Sequence, residues 1–133
     1  MTSIGDLHDL AYRLGITLGH HHGGPKAWYS ASTRRISTRW WLPVWEYKSS
    51  LAHELGHAIH GDQRLDHGHF SQMQERRADR FAAELLIDPD QLADLALWHV
   101  DDLDCLAADL EVTPHLLAVY LHHNPQPRQE EAA

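Results

Sequence analysis

His53, Glu54 and His57 are the residues of this chain whose types and spacing can do chemistry together. They lie in Leu51-Ala52-His53-Glu54-Leu55-Gly56-His57-Ala58-Ile59-His60. On a helix, residues four apart share one face, one turn apart. Two imidazoles so placed can bind one zinc ion from the same side. The Glu between them can act as general base on water at the metal's open position. That is the zincin arrangement for hydrolysing a peptide bond.

The chain has 13 His in 133 residues, so the motif must be weighed in its setting. At about 100° per residue from His53, His57 falls near 40° and His60 near 340°. Leu51, Leu55, Ala58 and Ile59 fall on the opposite side, between about 140° and 240°. One face suits a core and the other a metal. The bland alternative is an amphipathic helix with incidental His.

An open catalytic zinc needs a third protein ligand. A longer motif would supply it as Gly and His at fixed offsets after His57, but His60 and Gln63 occupy those places. Glu46 shares the His face, yet stands about 10 Å from His53 along the axis. A second helix offers carboxylates. With Glu75 at zero, Asp79 falls near 40°, and both sit beside the apolar face of Ala78, Phe81 and Leu85. Arg76, Arg77, Arg80 and Glu84 mark the wet side. An unpaired carboxylate beside an apolar face is costly, and a cation removes that cost. Glu75 is therefore the expected third ligand. Asp79, one turn on, can accept the free ring N–H of a ligand His. The alternatives are Glu–Arg pairing on a solvated helix, or His67 and His69 as rival ligands.

These residues must be positioned by several elements. A first helix is expected over 3–14, capped by Ser3 and stopped by Gly15. Residues 16–18 suggest a short strand. His20, His21 and His22 read as a solvated loop, since consecutive side chains diverge too far to share one ion. Residues 27–30 and 35–39 suggest two strands joined by a short turn. Trp40, Trp41 and Trp45 are expected to plug the core, with a substrate groove as the alternative. The zinc-motif helix should run from Pro43 or Val44 to Gly61. Residues 62–71 form a loop, and the helix with Glu75 spans about 72–87. Helices are expected at 89–98, 102–110 and 114–121, capped by Asp88 and Thr113. The expected fold is α+β: a small, three-stranded sheet with packed helices, the metal between two of them, and a helical C-terminal part. Residues 1–123 would form one domain, with 89–123 a helical hairpin subregion and 124–133 a disordered tail.

Composition narrows the partners. The formal charge is −8, which opposes non-specific binding to nucleic acid or anionic membranes. The single cysteine, Cys105, allows no intramolecular disulfide and suits a reducing, cytoplasmic setting. No signal peptide or membrane-spanning run is expected.

Residues 51–62 followed by residues 75–87 resemble the ImmA/IrrE family of metallopeptidases, in particular its short members from actinobacterial phages and prophages. The resemblance runs from about Leu7 to Leu121. It implies a gluzincin-like site with His53, His57 and Glu75 as ligands of one Zn2+, Glu54 as general base and Asp79 behind a ligand. Arg77 stands where the family often has Glu, which reads as surface variation, and His60 matches a frequent family His without an evident role. The family also implies a protein substrate, with a helix-turn-helix repressor of a phage or mobile element as the class to expect.

Residues 106–121 have the pattern of a helix-turn-helix unit themselves. The last helix, however, brings no Lys or Arg before Arg128, and Asp101, Asp102, Asp104, Asp109 and Glu111 surround it. Phosphates would be repelled, so direct nucleic-acid binding is not expected. A second class, a zinc-containing anti-repressor that binds without cutting, fits the same ligand set. The oxyanion donor that hydrolysis needs stays open among Tyr29, His67, His69 and His99.

Overall fold

A computed structural model of the protein describes residues 1–99 and 101–126. Helix α1 (Ile4–Arg13) starts at a reciprocal cap: Ser3 Oγ accepts from the Asp6 amide while the Asp6 carboxylate accepts from the Ser3 amide. Strands β1 (Thr17–His21), β2 (Ala27–Ser30) and β3 (Arg35–Arg39) form one sheet in the order β1-β3-β2. β3 lies in the middle, parallel to β1 and antiparallel to β2. The α+β class and the three-stranded sheet are as expected.

Two sequence expectations fail at this sheet. His20 and His21 are not loop residues; they pair in register with Thr38 and Arg39 of β3. Their rings find separate partners: His20 Nδ1 lies 3.0 Å from Thr38 Oγ1, and His21 Nδ1 lies 2.7 Å from Ser37 Oγ. Parallel pairing with β3 extends the strand three residues beyond the apolar stretch, through His21, and the central strand's hydroxyls satisfy the imidazoles. The tryptophans do not fill the core either. Trp40, Trp41 and Trp45 are 43%, 90% and 36% exposed. They lie at the turn out of β3 and the first turn of the next helix, where Trp41 takes φ +69°. That reversal swings the rings outward, and Trp40 stacks on His20 with centroids 4.0 Å apart.

Helix α2 (Val44–Ile59) crosses the sheet and buries Leu51, Ala52 and Leu55 against Leu7, Ile36 and Tyr29. Helix α3 (Gln72–Leu86) begins at a second reciprocal cap, between Ser71 and Gln74. It packs Ala78, Ala82, Ala83 and Leu86 inward. Helices α4 (Pro89–Ala96), α5 (Leu103–Asp109) and α6 (Pro114–His123) follow. The segment expected to form a tail lies, from residue 127 on, outside the described residues.

α2 is tied to the turn between α5 and α6 by polar groups as well as by packing. Lys48, only 1% exposed, places Nζ 2.8 Å from the Glu111 carboxylate. The Thr113 amide donates to Ser49 Oγ at 3.1 Å. α6 buries Leu116, Leu117 and Tyr120. The helix with a recognition-helix pattern is thus built into the body of the protein.

α2 packs tightly on α3 at Gly56. A Cβ there would lie 3.0 Å from Ala78 Cα and 3.1 Å from Phe81 Cδ1. Alanine gains about 1 kcal/mol in helix propensity over glycine, but forcing backbone apart costs about 1–3 kcal/mol. Here the backbone contact outweighs propensity. Gly56→Ala is expected to lose about 1 kcal/mol in urea unfolding and to weaken metal binding, because Glu75 and Asp79 move with α3. A stabilised variant would show that the helices are not in tight contact.

Candidate metal centre

α2 presents His53 and His57 one turn apart, and α3 lays Glu75 across them. His57 Nε2 lies 2.7 Å from Glu75 Oε1 and 3.2 Å from His53 Nε2. His53 Nε2 lies 3.5 Å from Glu75 Oε2. One ligand atom from each residue falls within 4.8 Å of the others. Two nitrogens on one zinc, about 2.0–2.1 Å from it at tetrahedral angles, would stand roughly 3.3 Å apart.

The opposite ring nitrogens define what these atoms are. His53 Nδ1 is 2.7 Å from Asp79 Oδ1, and His57 Nδ1 is 2.9 Å from Asp62 Oδ2. An ionised carboxylate only accepts, so each Nδ1 must carry the proton. Each Nε2 is left facing the other ring and the Glu75 carboxylate, so a ring in its neutral form would turn a lone pair toward them. Two ring nitrogens and a carboxylate converge, a donor set that suits a cation. Burial pushes the His57 imidazole below its usual pKa, an effect Asp62 only partly offsets. Burial also opposes charge on His53, but the bond to Asp79 and the nearby carboxylates of Glu54 and Glu75 outweigh it and raise its pKa. Asp79 is itself opposed by burial, yet its bonds to His53 and His115 hold its carboxyl below the usual range.

Glu54 flanks this cluster. It is 9% exposed, and its Oε2 is buried without a hydrogen-bond partner. Burial, helped by Glu75 and opposed by His53 and Arg64, pushes its carboxyl up to about 7. A basic group poised there matches the range in which a general base works at neutral pH. Glu54 and Glu75 line a cleft of about 420 Å³ together with His69, Arg64 and Phe70. On the other side His53, Glu54 and Asp79 line a cavity of about 400 Å³ with Thr113 and His115.

The structure brings together all five residues singled out in the sequence: His53, His57, Glu75, Glu54 and Asp79. The rivals stand apart from the ligand cluster. His67 and His69 lie in the loop after α2, where the His69 amide donates to His67 Nδ1. Of the oxyanion candidates, His69 shares the cleft; Tyr29 is buried, and His99 pairs with Asp109. Glu46 pairs with Lys26 at 3.0 Å.

Several contributors were not legible. Asp62, 2% exposed, holds His57 and is gripped by Arg77. Arg77 is thus no incidental surface residue. His115, at the start of α6, places Nε2 2.7 Å from Asp79 Oδ2. His60 caps α2 by donating from Nδ1 to the Gly56 carbonyl at 2.7 Å. Asp62 and His115 lie on a loop and at a distant helix start, where no helical period links them to His53. Phe70 completes the support by stacking on His57, centroids 3.8 Å apart.

Because Asp62 fixes the His57 ring, Asp62→Ala is expected to weaken divalent-metal affinity about 10–100-fold. Competition with a chromophoric chelator measures it. Unchanged affinity would reduce Asp62 to an anchor for Arg77.

No curated protein matches the chain. Its structure is similar to that of a Mycobacterium tuberculosis transcriptional regulator, with a TM-score of 0.64 and 21% identity, over 97% of this chain and 44% of that one. The chain thus spans less than half the length of that regulator, and the likeness speaks for the fold. No helix among the described residues is long and apolar enough to cross a membrane. The model of the IrrE N-terminal-like domain, a peptidase family, matches residues 8–122. That span holds both helices of the candidate metal centre and the loop and helix start that buttress it, and the chain belongs to this ImmA/IrrE family of metallopeptidase-type domains.

Proposed function

We propose that the protein is a zinc-dependent endopeptidase in which His53, His57 and Glu75 hold the metal and Glu54 is the general base. The observation that carries this reading is the convergence of two Nε2 atoms and a carboxylate, each ring held from behind by its own aspartate. Two His and one carboxylate suit zinc. Bound there, zinc would polarise the scissile carbonyl and acidify water to a pKa of about 7.

The chain's own groups supply the rest. The Glu54 carboxylate takes the proton of the attacking water and passes it to the leaving amine. Its buried position keeps it basic enough for the first transfer. Asp79 and Asp62 keep both rings in one tautomer and orientation. The family resemblance supports a protein substrate in the cytoplasm, with a helix-turn-helix repressor of a phage or mobile element as the class.

Mass spectrometry tests this directly. Zinc-loaded protein incubated with a peptide library, and with helix-turn-helix repressors of its own genome, should give fragment pairs whose masses sum to substrate plus one water. A repressor that loses DNA binding while staying intact would favour sequestration over cleavage. Stoichiometric zinc with no hydrolysis of any substrate would sink the endopeptidase reading.

A further inference from the structure

Arg64 lies in the loop after α2, and its guanidinium is held from three directions. Nη2 donates to the Tyr29 carbonyl at 3.0 Å and Nη1 to the Gly68 carbonyl at 3.2 Å. Its central carbon lies 4.3 Å from the Phe70 ring centroid. All three partners are neutral. The Lys and Arg ion pairs among the described residues are Lys26–Glu46, Lys48–Glu111, Arg77–Asp62 and Arg80–Glu84, so Arg64 has no direct salt-bridge partner, although its charge reaches Glu54 across the cleft. A guanidinium has five N–H donors. Two are used, and a rigidly held fork with free donors is suited to a carboxylate.

The cavity on one side of Arg64 fits that chemistry. It measures about 560 Å³, and its polar wall consists of Ser30, Ser32, Gln63 and Arg64 over the Phe70 ring. Arg64 and Gln63 can each donate, and the Ser30 and Ser32 hydroxyls, 3.2 Å apart, bond to each other and leave one further O–H to donate. The one acid in the wall is Asp62, which is buried and engaged by His57 and Arg77. On the other side of Arg64 lies the cleft with Glu54 and Glu75. Trp28, Arg64 and Phe70 belong to both walls. In a chain of net charge −8, a donor-lined cavity next to the reacting groups is a local exception to the surrounding repulsion of anions.

We propose that this cavity is a carboxylate subsite of the peptide-binding cleft, with Arg64 as its anchor and Gln63 and the paired hydroxyls of Ser30 and Ser32 as further donors. It takes either an acidic side chain near the bond to be cut or the C-terminal carboxylate of the substrate. The proposal rests on the peptidase reading and adds to it a rule of substrate choice.

The test measures binding without turnover, using zinc-loaded Glu54→Gln protein and fluorescence anisotropy. The probes are labelled octapeptides on one background: an amidated series with a single Asp moved through each position, the matching Asn series, and one Asn-series peptide with a free C-terminal carboxylate. At least one Asp position, or the free-carboxylate peptide, should bind about tenfold more tightly than its neutral counterpart. Which arm responds tells a side chain from a C-terminus. The preference should vanish when Arg64→Gln is added, with zinc content and unfolding midpoint unchanged. Should Arg64→Gln disturb the loop, Ser32→Ala, at an exposed turn, should still reduce the preference about threefold. Equal binding of acidic and neutral peptides, or a preference that survives both changes, overturns the subsite and leaves the peptidase reading intact. No binding by any peptide overturns both.

Discussion

Glu54→Gln should lower kcat/KM for peptide hydrolysis by about 10³–10⁴ while leaving zinc stoichiometry at one per chain. The magnitude is that of removing a positioned general base, at the upper end of the usual range. The side chain keeps its size, and the atoms that converge at the metal centre belong to His53, His57 and Glu75, so the metal should stay. The same change has a second readout, in metal-free protein. The folded-state pKa of Glu54 is raised from 4.5 to about 7, so the native protein holds that proton more tightly than the unfolded chain. Ionised Glu54 therefore destabilises the fold above pH 7, and the penalty disappears as pH falls through 4.5, where both states are protonated. A shift of this size corresponds to at most about 3 kcal/mol. Glu54→Gln removes the charge, so metal-free variant should be more stable than wild type at pH 8 and equal to it at pH 4. Activity lost together with zinc, or a stability gain independent of pH, would contradict the assigned role.

A side chain that weakens the fold and has one oxygen without a partner is the pattern expected of a functional group. It was also among the most legible features of the sequence. His53, Glu54 and His57 could be read because a helix converts spacing into a shared face, and Leu51 and Leu55 mark the opposite face by the same rule. Glu75 and Asp79 could be read because α3 repeats that logic, with Ala78 and Phe81 showing which side faces α2. Legibility ends where the chain leaves periodic structure. Asp62 and Arg64 reach the site from a loop, and a loop carries no period from which direction can be inferred. His115 reaches it from a helix start more than fifty residues beyond His57, through tertiary packing of α6 on α3.

The two misread segments have a related cause. Three tryptophans in six residues state how much apolar surface there is, not which way it turns. The backbone reversal at Trp41 decides that, and nothing in Trp40-Trp41-Leu42-Pro43 announces a positive φ. His20 and His21 look like loop residues because imidazoles are poor guides to strand. They become strand because β3 offers a parallel edge and two hydroxyls, Ser37 and Thr38. Helix limits fared better. Ser3, Ser71, Asp88 and Thr113 are local signals, and each accepts a backbone amide at its helix start.

Glu75→Ala tests the metal centre itself and should have the larger effect on the whole molecule. Wild-type protein, purified without a His tag and dialysed to strip metal held weakly by exposed histidines, is expected to keep about one zinc per chain. The variant is expected to keep none. The reason lies in the geometry. Without the Glu75 carboxylate, His53 and His57 remain aligned by Asp79 and Asp62, but a two-nitrogen site lacks the third ligand that zinc sites in proteins require. Stability should follow occupancy. Zinc at about a thousand times its dissociation constant stabilises the native state by about 4 kcal/mol, which for a chain of this size raises the melting temperature by on the order of 10 °C. A chelator should remove that increment from wild type and leave Glu75→Ala unmoved. Zinc retained at full stoichiometry by Glu75→Ala would assign the third ligand to another residue, and His69, across the same cleft, would be the next to replace.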